Sequence, residues 1–127
     1  LGGVTIYTEH CPGHTPGTTS LFIEDKDEDG TVYIVGMHGG VGLGTVMDWY
    51  FEKHDQPKSL RDQYRAGLEK LRSRKVDIAV AMHPNHLGML DKVSEDRNDF
   101  RPFHDPAAWE AFLIERLRML DDAMAAS

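Results

Sequence analysis

Cysteine is nearly missing from this chain. Cys11 stands alone, so no internal disulfide staples the fold, stability must come from a packed core, and cysteine usage says little about redox compartment. Long apolar runs are missing too. Nothing approaches the ~20 residues needed to span a bilayer and no signal-like segment opens the sequence, so no membrane partner is expected and the cytoplasm is the expected location. Any signal upstream of Leu1 would lie outside these residues. Positive charge is scarce: 14 Lys and Arg against 21 Asp and Glu leave a formal net charge of -7. That balance argues against nucleic acid or an anionic membrane as a general partner, because neither attracts an acidic surface. Internal repeats and low-complexity tracts are absent. An initiator methionine is absent as well, and Leu1-Gly2-Gly3 leads at once into a strand pattern, which reads as a piece cut from a longer protein. At 127 residues the chain is one domain, 1–127, large enough to bury a core.

Two further motifs fail on inspection. Asp25, Asp27, Asp29 and Gly30 match the first, third, fifth and sixth positions of an EF-hand loop, but Gly36 falls where the bidentate Glu belongs and the flanks read as strands. A solvated acidic turn is the better reading. Gly36-Met37-His38-Gly39-Gly40-Val41-Gly42-Leu43-Gly44 invites comparison with nucleotide-binding loops, yet it contains neither Gly-x-Gly-x-x-Gly nor a closing Gly-Lys-Ser/Thr. Its glycines are better explained by close backbone approach to a site.

The remaining sequence alternates between strand and helix patterns. Val4 to Tyr7, Thr19 to Glu24, Thr31 to Val35 and Val76 to Ala81 read as strands, the middle two joined as a hairpin by the acidic turn. Leu60, Tyr64, Leu68 and Leu71 line one face of a helix over Ser59 to Arg72, with Ser59 and Asp62 suited to its N-terminal cap. Asp105-Pro106 opens a second helix whose apolar stripe is Trp109, Phe112, Leu113, Leu117, Leu120 and Met124, with Glu110, Arg116, Arg118, Asp121 and Asp122 on the other side. Val46 to Phe51, apolar and aromatic, fits strand, helix or a lid over a pocket. In the two hairpin strands both side-chain faces are apolar, Leu21 and Ile23 against Phe22, and Val32 and Ile34 against Tyr33 and Val35. Strands of that kind belong to a sheet covered on both sides. Two helices can cover one side, so the other is expected to leave an apolar patch that drives homo-oligomer formation.

The stretch that organises the rest is Cys11-Pro12-Gly13-His14-Thr15-Pro16-Gly17, followed by the strand-like Ser20 to Ile23. Its prolines and glycines shape a loop and exclude a helix. A second histidine, His83, ends an apolar strand and precedes Pro84. These features resemble the metallo-β-lactamase superfamily, in which Gly-His-Thr-Pro-Gly presents a metal-binding histidine and a buried strand ends in another. The resemblance implies an α+β fold, half of an αββα sandwich, with a mostly antiparallel sheet and helices on one face. It assigns His14 and His83 as metal ligands. His38 stands near the position where the family carries a bridging Asp, Cys or Ser, and the sequence leaves it open whether His38 binds a second metal, touches substrate or fills space. His86 has no family counterpart; it would add a ligand or a supporting hydrogen bond. His54 and His104 are assigned nothing.

The family's principal signature, His-x-His-x-Asp-His, does not occur in this chain. By the resemblance, these residues correspond to the C-terminal half of a metal-dependent hydrolase acting on a small-molecule substrate. Its metal is zinc, one or two ions, with iron or manganese not excluded, since all accept imidazole. The reaction implied is attack of metal-bound hydroxide on an ester, thioester, amide or phosphoester. The missing N-terminal half is then an expected partner, and the chain alone is expected to be inactive. A non-enzymatic binding or assembly module on the same scaffold is the alternative, because fold does not dictate function.

Overall fold

A computed structural model describes residues 2–127. Its centre is a four-stranded sheet in the order β1 (Thr5–His10), β2 (Thr19–Lys26), β3 (Val32–His38), β4 (Ile78–Ala81). The first three strands are antiparallel neighbours and β4 runs parallel to β3. Each strand runs where the sequence alternation places it, with ends moved by a few residues; β1 continues to His10 and β3 to His38. Between β2 and β3 the acidic run forms the expected turn. The Asp27 carboxylate accepts the backbone N–H groups of Asp29 and Thr31, both at 2.9 Å, and Gly30 takes the positive φ of 80° that closes the turn. That carboxylate is engaged by its own backbone, so the calcium-loop pattern has an ordinary structural explanation.

A parallel pair needs a crossover, and the segment between β3 and β4 supplies one that carries two helices. α1 (Asp48–His54) resolves the ambiguous aromatic stretch: Phe51 is buried, Trp49 is 58% exposed, and a 3-10 turn at Gly44–Val46 precedes them with Val46 in the core. α2 (Ser59–Leu71) buries Leu60, Tyr64, Leu68 and Leu71 as the spacing requires. The capping expectation fails here. Ser59 is the first helical residue and makes no side-chain cap; the Leu60 N–H is instead taken by the carbonyl of Pro57 at 3.0 Å. After β4 come α3 (Met89–Lys92) and α4 (Ala108–Ala125). α4 starts two residues beyond Pro106, and Asp105 accepts the Ala107 N–H at 3.0 Å just ahead of it.

The core lies between one face of the sheet and the pair α2 and α4. Phe22 meets Trp109 edge-on at 5.5 Å, and the Trp109 indole N–H donates to the Leu71 carbonyl at 2.9 Å, so the largest buried side chain is packed and satisfied together. The opposite face of the sheet carries Leu21, Ile23, Val35, Met37 and Val80, all half-buried, with Ile6 57% exposed. The register aligns these apolar residues in rows, Ile6 beside Ile23 beside Val35, and Leu21 beside Met37 beside Val80. This second face is not wholly bare, contrary to the expectation from two helices alone. The connector after α3 crosses it: Phe100 and His104 pack edge-on against Tyr33 at 5.0 and 5.4 Å, and His104 bridges to Ile78. His104, which the sequence left without a part, thus shields the sheet end remote from His38. Among the described residues no helix is long and apolar enough to cross a membrane.

Candidate metal centre

The loop between β1 and β2 is held by its own backbone. Cys11 N–H donates to the Thr18 carbonyl at 2.9 Å, Gly13 N–H to the Thr15 carbonyl at 3.0 Å, and the buried Thr18 hydroxyl accepts the Thr15 N–H at 3.0 Å. The loop lies hard against α2: a Cβ on Gly13 would fall 2.4 Å from the Cα and Cβ of Tyr64, so only glycine lets this backbone through. The next residue, His14, is aimed by that contact. Its Nδ1 sits 2.8 Å from the Gly42 carbonyl and 2.9 Å from the Thr45 hydroxyl. A carbonyl only accepts, so Nδ1 carries the hydrogen and Nε2 is left with its lone pair, the form in which imidazole ligates a metal. Two glycines of the glycine-rich segment make room for this ring. Cβ atoms on Gly40 and Gly42 would lie 2.3 and 3.0 Å from the His14 ring, which bears out close backbone approach as the reason for those glycines.

His38, at the end of β3, is arranged the opposite way. It is 5% exposed, and its Nδ1 accepts the Gly40 N–H at 3.1 Å. Burial first, and the neighbouring His14 second, push its pKa down to about 4, so the ring is neutral at pH 7. A neutral ring with Nδ1 accepting has its hydrogen on Nε2 and no lone pair left to give a metal. Of the roles left open for His38, this pattern suits donation to a substrate or neighbour rather than ligation.

His83 and His86 follow β4. His83 is exposed in the turn after the strand, the His86 N–H donates to the His83 carbonyl at 3.0 Å, and the two rings meet edge-on at 5.3 Å. His86 is half-buried beside Phe112, and its pKa is lowered by that desolvation first and by Arg116 and His83 next. All four predicted histidines line one cleft of about 340 Å³ at the end of β3 and β4. The expectation that His14 and His83 share a cleft is met. Yet no three His, Cys, Asp or Glu groups among the described residues come together closely enough to hold a metal ion. The chain supplies one well-prepared imidazole, His14, and by itself no complete ligand set. The other histidines lie elsewhere: His10 bonds the Pro16 carbonyl at 2.8 Å, His54 stacks on Tyr50, and His104 covers Tyr33.

Sequence reasoning missed two residues, one that bonds His14 and one that lines the cleft. Thr45 gave no signal, since a lone threonine after glycines is unremarkable. Arg116 was placed on the solvent side of α4, but its side chain is 13% exposed and lines the cleft beside Phe112. Its position three residues past Leu113 and four past Phe112 put it at the border of the apolar stripe, where a neighbouring loop can cover it.

A sheet with helices on one face and a histidine cleft at the ends of its strands is the arrangement of a metallo-β-lactamase fold. Solved structures bear this out. BJP-1, a subclass B3 metallo-β-lactamase of Bradyrhizobium japonicum, superposes with a TM-score of 0.81 at 26% identity, over 99% of this chain and 47% of its own. A metallo-β-lactamase of Cronobacter sakazakii with a HARLDQ motif gives 0.76 at 25% identity, over 99% and 48%. A β-lactamase from Chitinophaga pinensis gives 0.74 at 24% identity, over 96% and 45%. The chain therefore has the fold of half a metallo-β-lactamase, and it spans about half the length of the structures it matches. No family model and no curated protein matches the chain.

Proposed function

We propose that this chain, 1–127, is the C-terminal half of a metal-dependent hydrolase of the metallo-β-lactamase superfamily, with His14 and His83 as its contribution to a zinc site completed by ligands from the other half. The observation that carries the reading is the His14 hydrogen-bond pattern, Nδ1 committed to the Gly42 carbonyl at 2.8 Å and Nε2 left with its lone pair. Zinc bound there would supply Lewis acidity, lowering the pKa of water to about 7 so that attack on an ester, thioester, amide or phosphoester proceeds at neutral pH. Iron or manganese would suit the same imidazoles. The chain's own residues set the surroundings. The Gly40 to Gly42 backbone walls one side of the His14 ring, His38 offers an Nε2–H donor, and Phe112 closes the apolar side of the cleft. The incomplete ligand set supports inactivity of the chain alone; it equally favours the alternative, a binding module that has kept the scaffold.

Zinc titration of the isolated chain, followed by long-range proton–nitrogen spectra of the histidine rings, separates the two. The expected result is weak binding in which the His14 and His83 nitrogens shift together, lost in His14→Ala. Shifts confined to His10, His54 and His104 would overturn the metal reading. Stoichiometric zinc after dialysis, with ester turnover abolished by His14→Ala, would overturn the claim that the other half is required.

A further inference from the structure

Every other ion-paired arginine of this acidic chain has a carboxylate close by. Arg61 meets Asp48 and Arg65 meets Asp121 at 2.5 Å, Arg101 meets Asp99 at 2.7 Å, Arg72 meets Glu69 at 2.9 Å, and Arg74 pairs with Glu9. Arg116 is the exception, and it is the least exposed of the set at 13%. Its nearest carboxylate, that of the half-exposed Glu115, stands 4.0 Å away, at the outer limit of an ion pair. Among the described residues its Nε, like that of Arg72, is buried without a hydrogen-bond partner, and its Nη1 meets the Met119 sulfur at 3.6 Å, a weak acceptor. The guanidinium lies over the Phe112 ring at 4.9 Å, which fixes its plane. Holding a charge in this state without an anion is costly, and the fold places that cost beside the histidines. Among the described residues no Asp or Glu lines the cleft, although acids outnumber bases 21 to 14 in the chain.

We propose that Arg116 is an anion anchor: the histidine cleft takes a substrate bearing an oxyanion, carboxylate or phosphate, which pairs with the Arg116 guanidinium while Phe112 supports the group beneath. This rests on the reading of the cleft as a substrate site and specifies its substrate class as anionic. A planar guanidinium presents parallel N–H donors that match both oxyanions, which is why arginine rather than lysine suits the position. The group acts by positioning; no proton leaves it.

The test uses the whole chain, stripped of metal, titrated separately with acetate and with inorganic phosphate at constant ionic strength while the Arg116 Nε–H and the Phe112 and His86 amides are followed by NMR. Saturable millimolar binding is expected at those three positions, weakened at least tenfold in Arg116→Gln and by a smaller factor in Arg116→Lys, which keeps the charge but loses the planar fork. Phosphate binding tighter than acetate specifies a phosphoester-type substrate and the reverse a carboxylate-bearing one; either supports the anchor. Shifts that never saturate, that persist unchanged in Arg116→Gln, or that map to Lys70 and Arg74 instead would overturn it. Because Arg116→Met removes an unpaired charge, that variant is expected to melt no lower than the parent, whereas a clear fall in melting temperature would show that Arg116 is structural. His14→Ala should lose the zinc shifts and leave anion binding intact, so zinc shifts that persist unchanged in His14→Ala beside retained anion shifts would sink the metal reading alone.

Discussion

Substituting Gly40 by alanine tests whether the glycine-rich segment holds His14 in its ligating form. The backbone imposes no obstacle, since φ at Gly40 is not positive. The added Cβ would stand 2.3 Å from His14 Cδ2, and ordinary contact begins at 3.4 Å, so the ring must retreat by at least 1.1 Å. A movement of that size exceeds the margin separating bonds of 2.8 and 2.9 Å, to Gly42 and Thr45, from the roughly 3.5 Å at which a hydrogen bond is gone. Loss of that bond from a half-buried ring costs about 1 kcal/mol of stability, leaving the fold standing. Zinc affinity should fall by about 10- to 100-fold, the usual effect of removing the group that orients a ligating histidine. Long-range nitrogen spectra report the tautomer directly: the parent should show the hydrogen on Nδ1 of His14, the variant a mixture. Gly17→Ala, in the loop that carries His14, is the control, because nothing lies within 4 Å of its added methyl. An unchanged His14 tautomer in Gly40→Ala, with zinc shifts at parent concentrations, would refute the reasoning.

Two other outcomes follow from the geometry. His38 has its folded pKa pushed from 6.5 down to about 4, so the unfolded chain binds more protons between those values and stability must fall as pH drops through that window, by about 3 kcal/mol in total at roughly 1.4 kcal/mol per unit. Urea midpoints measured across the window should decline in the parent and stay flatter in His38→Asn; parallel profiles would show that His38 is not the group responsible. The second prediction concerns the open sheet face. Leu21, Ile23, Val35, Met37 and Val80 form a continuous apolar surface with Ile6 at its edge, and a second copy is the cover available to the isolated chain. Sedimentation at low micromolar concentration should show a dimer, whereas a clean monomer of 14.3 kDa that binds no apolar dye would contradict this.

How much of this was legible beforehand depended on whether a feature is local. The α2 and α4 stripes were readable because burial recurs at helical spacing, and each predicted apolar residue is buried or, for Met124, packed against the core. The His14 loop was readable because Pro12 and Pro16 restrict the backbone, and Gly13 and Gly17 permit turns, whatever surrounds it. Arg116 was not, because periodicity tells which side of a helix is apolar but not which border residue a distant loop will cover. His104 escaped for the same reason: its contacts with Tyr33 and Ile78 join residues far apart in sequence. Ser59 misled because its residue type fits a cap, while the preceding Pro57 carbonyl already satisfies the Leu60 N–H in the first turn of the helix. The difference between His14 and His38 lies beyond sequence altogether. Both are histidines beside glycines, and only the identity of the atom facing Nδ1, a carbonyl or an N–H, separates a ring with Nε2 free to accept from one with Nε2–H free to donate.

That difference also says how the half-site is organised. His14 is fixed by groups that exist without metal: the Gly13 backbone against Tyr64, the Thr15 to Thr18 bonds, and the Gly42 carbonyl. Its orientation is prepared by folding, and binding need not supply the ordering free energy. His83 is in the reverse situation, exposed in a turn with its ring against only the movable ring of His86. A metal shared between them would find one ligand waiting and would have to order the other. On the proposed metal reading, the affinity of the chain alone would be limited less by His14 than by the freedom of His83 and by further ligands, and a completing half would raise affinity chiefly by covering that turn and filling the set.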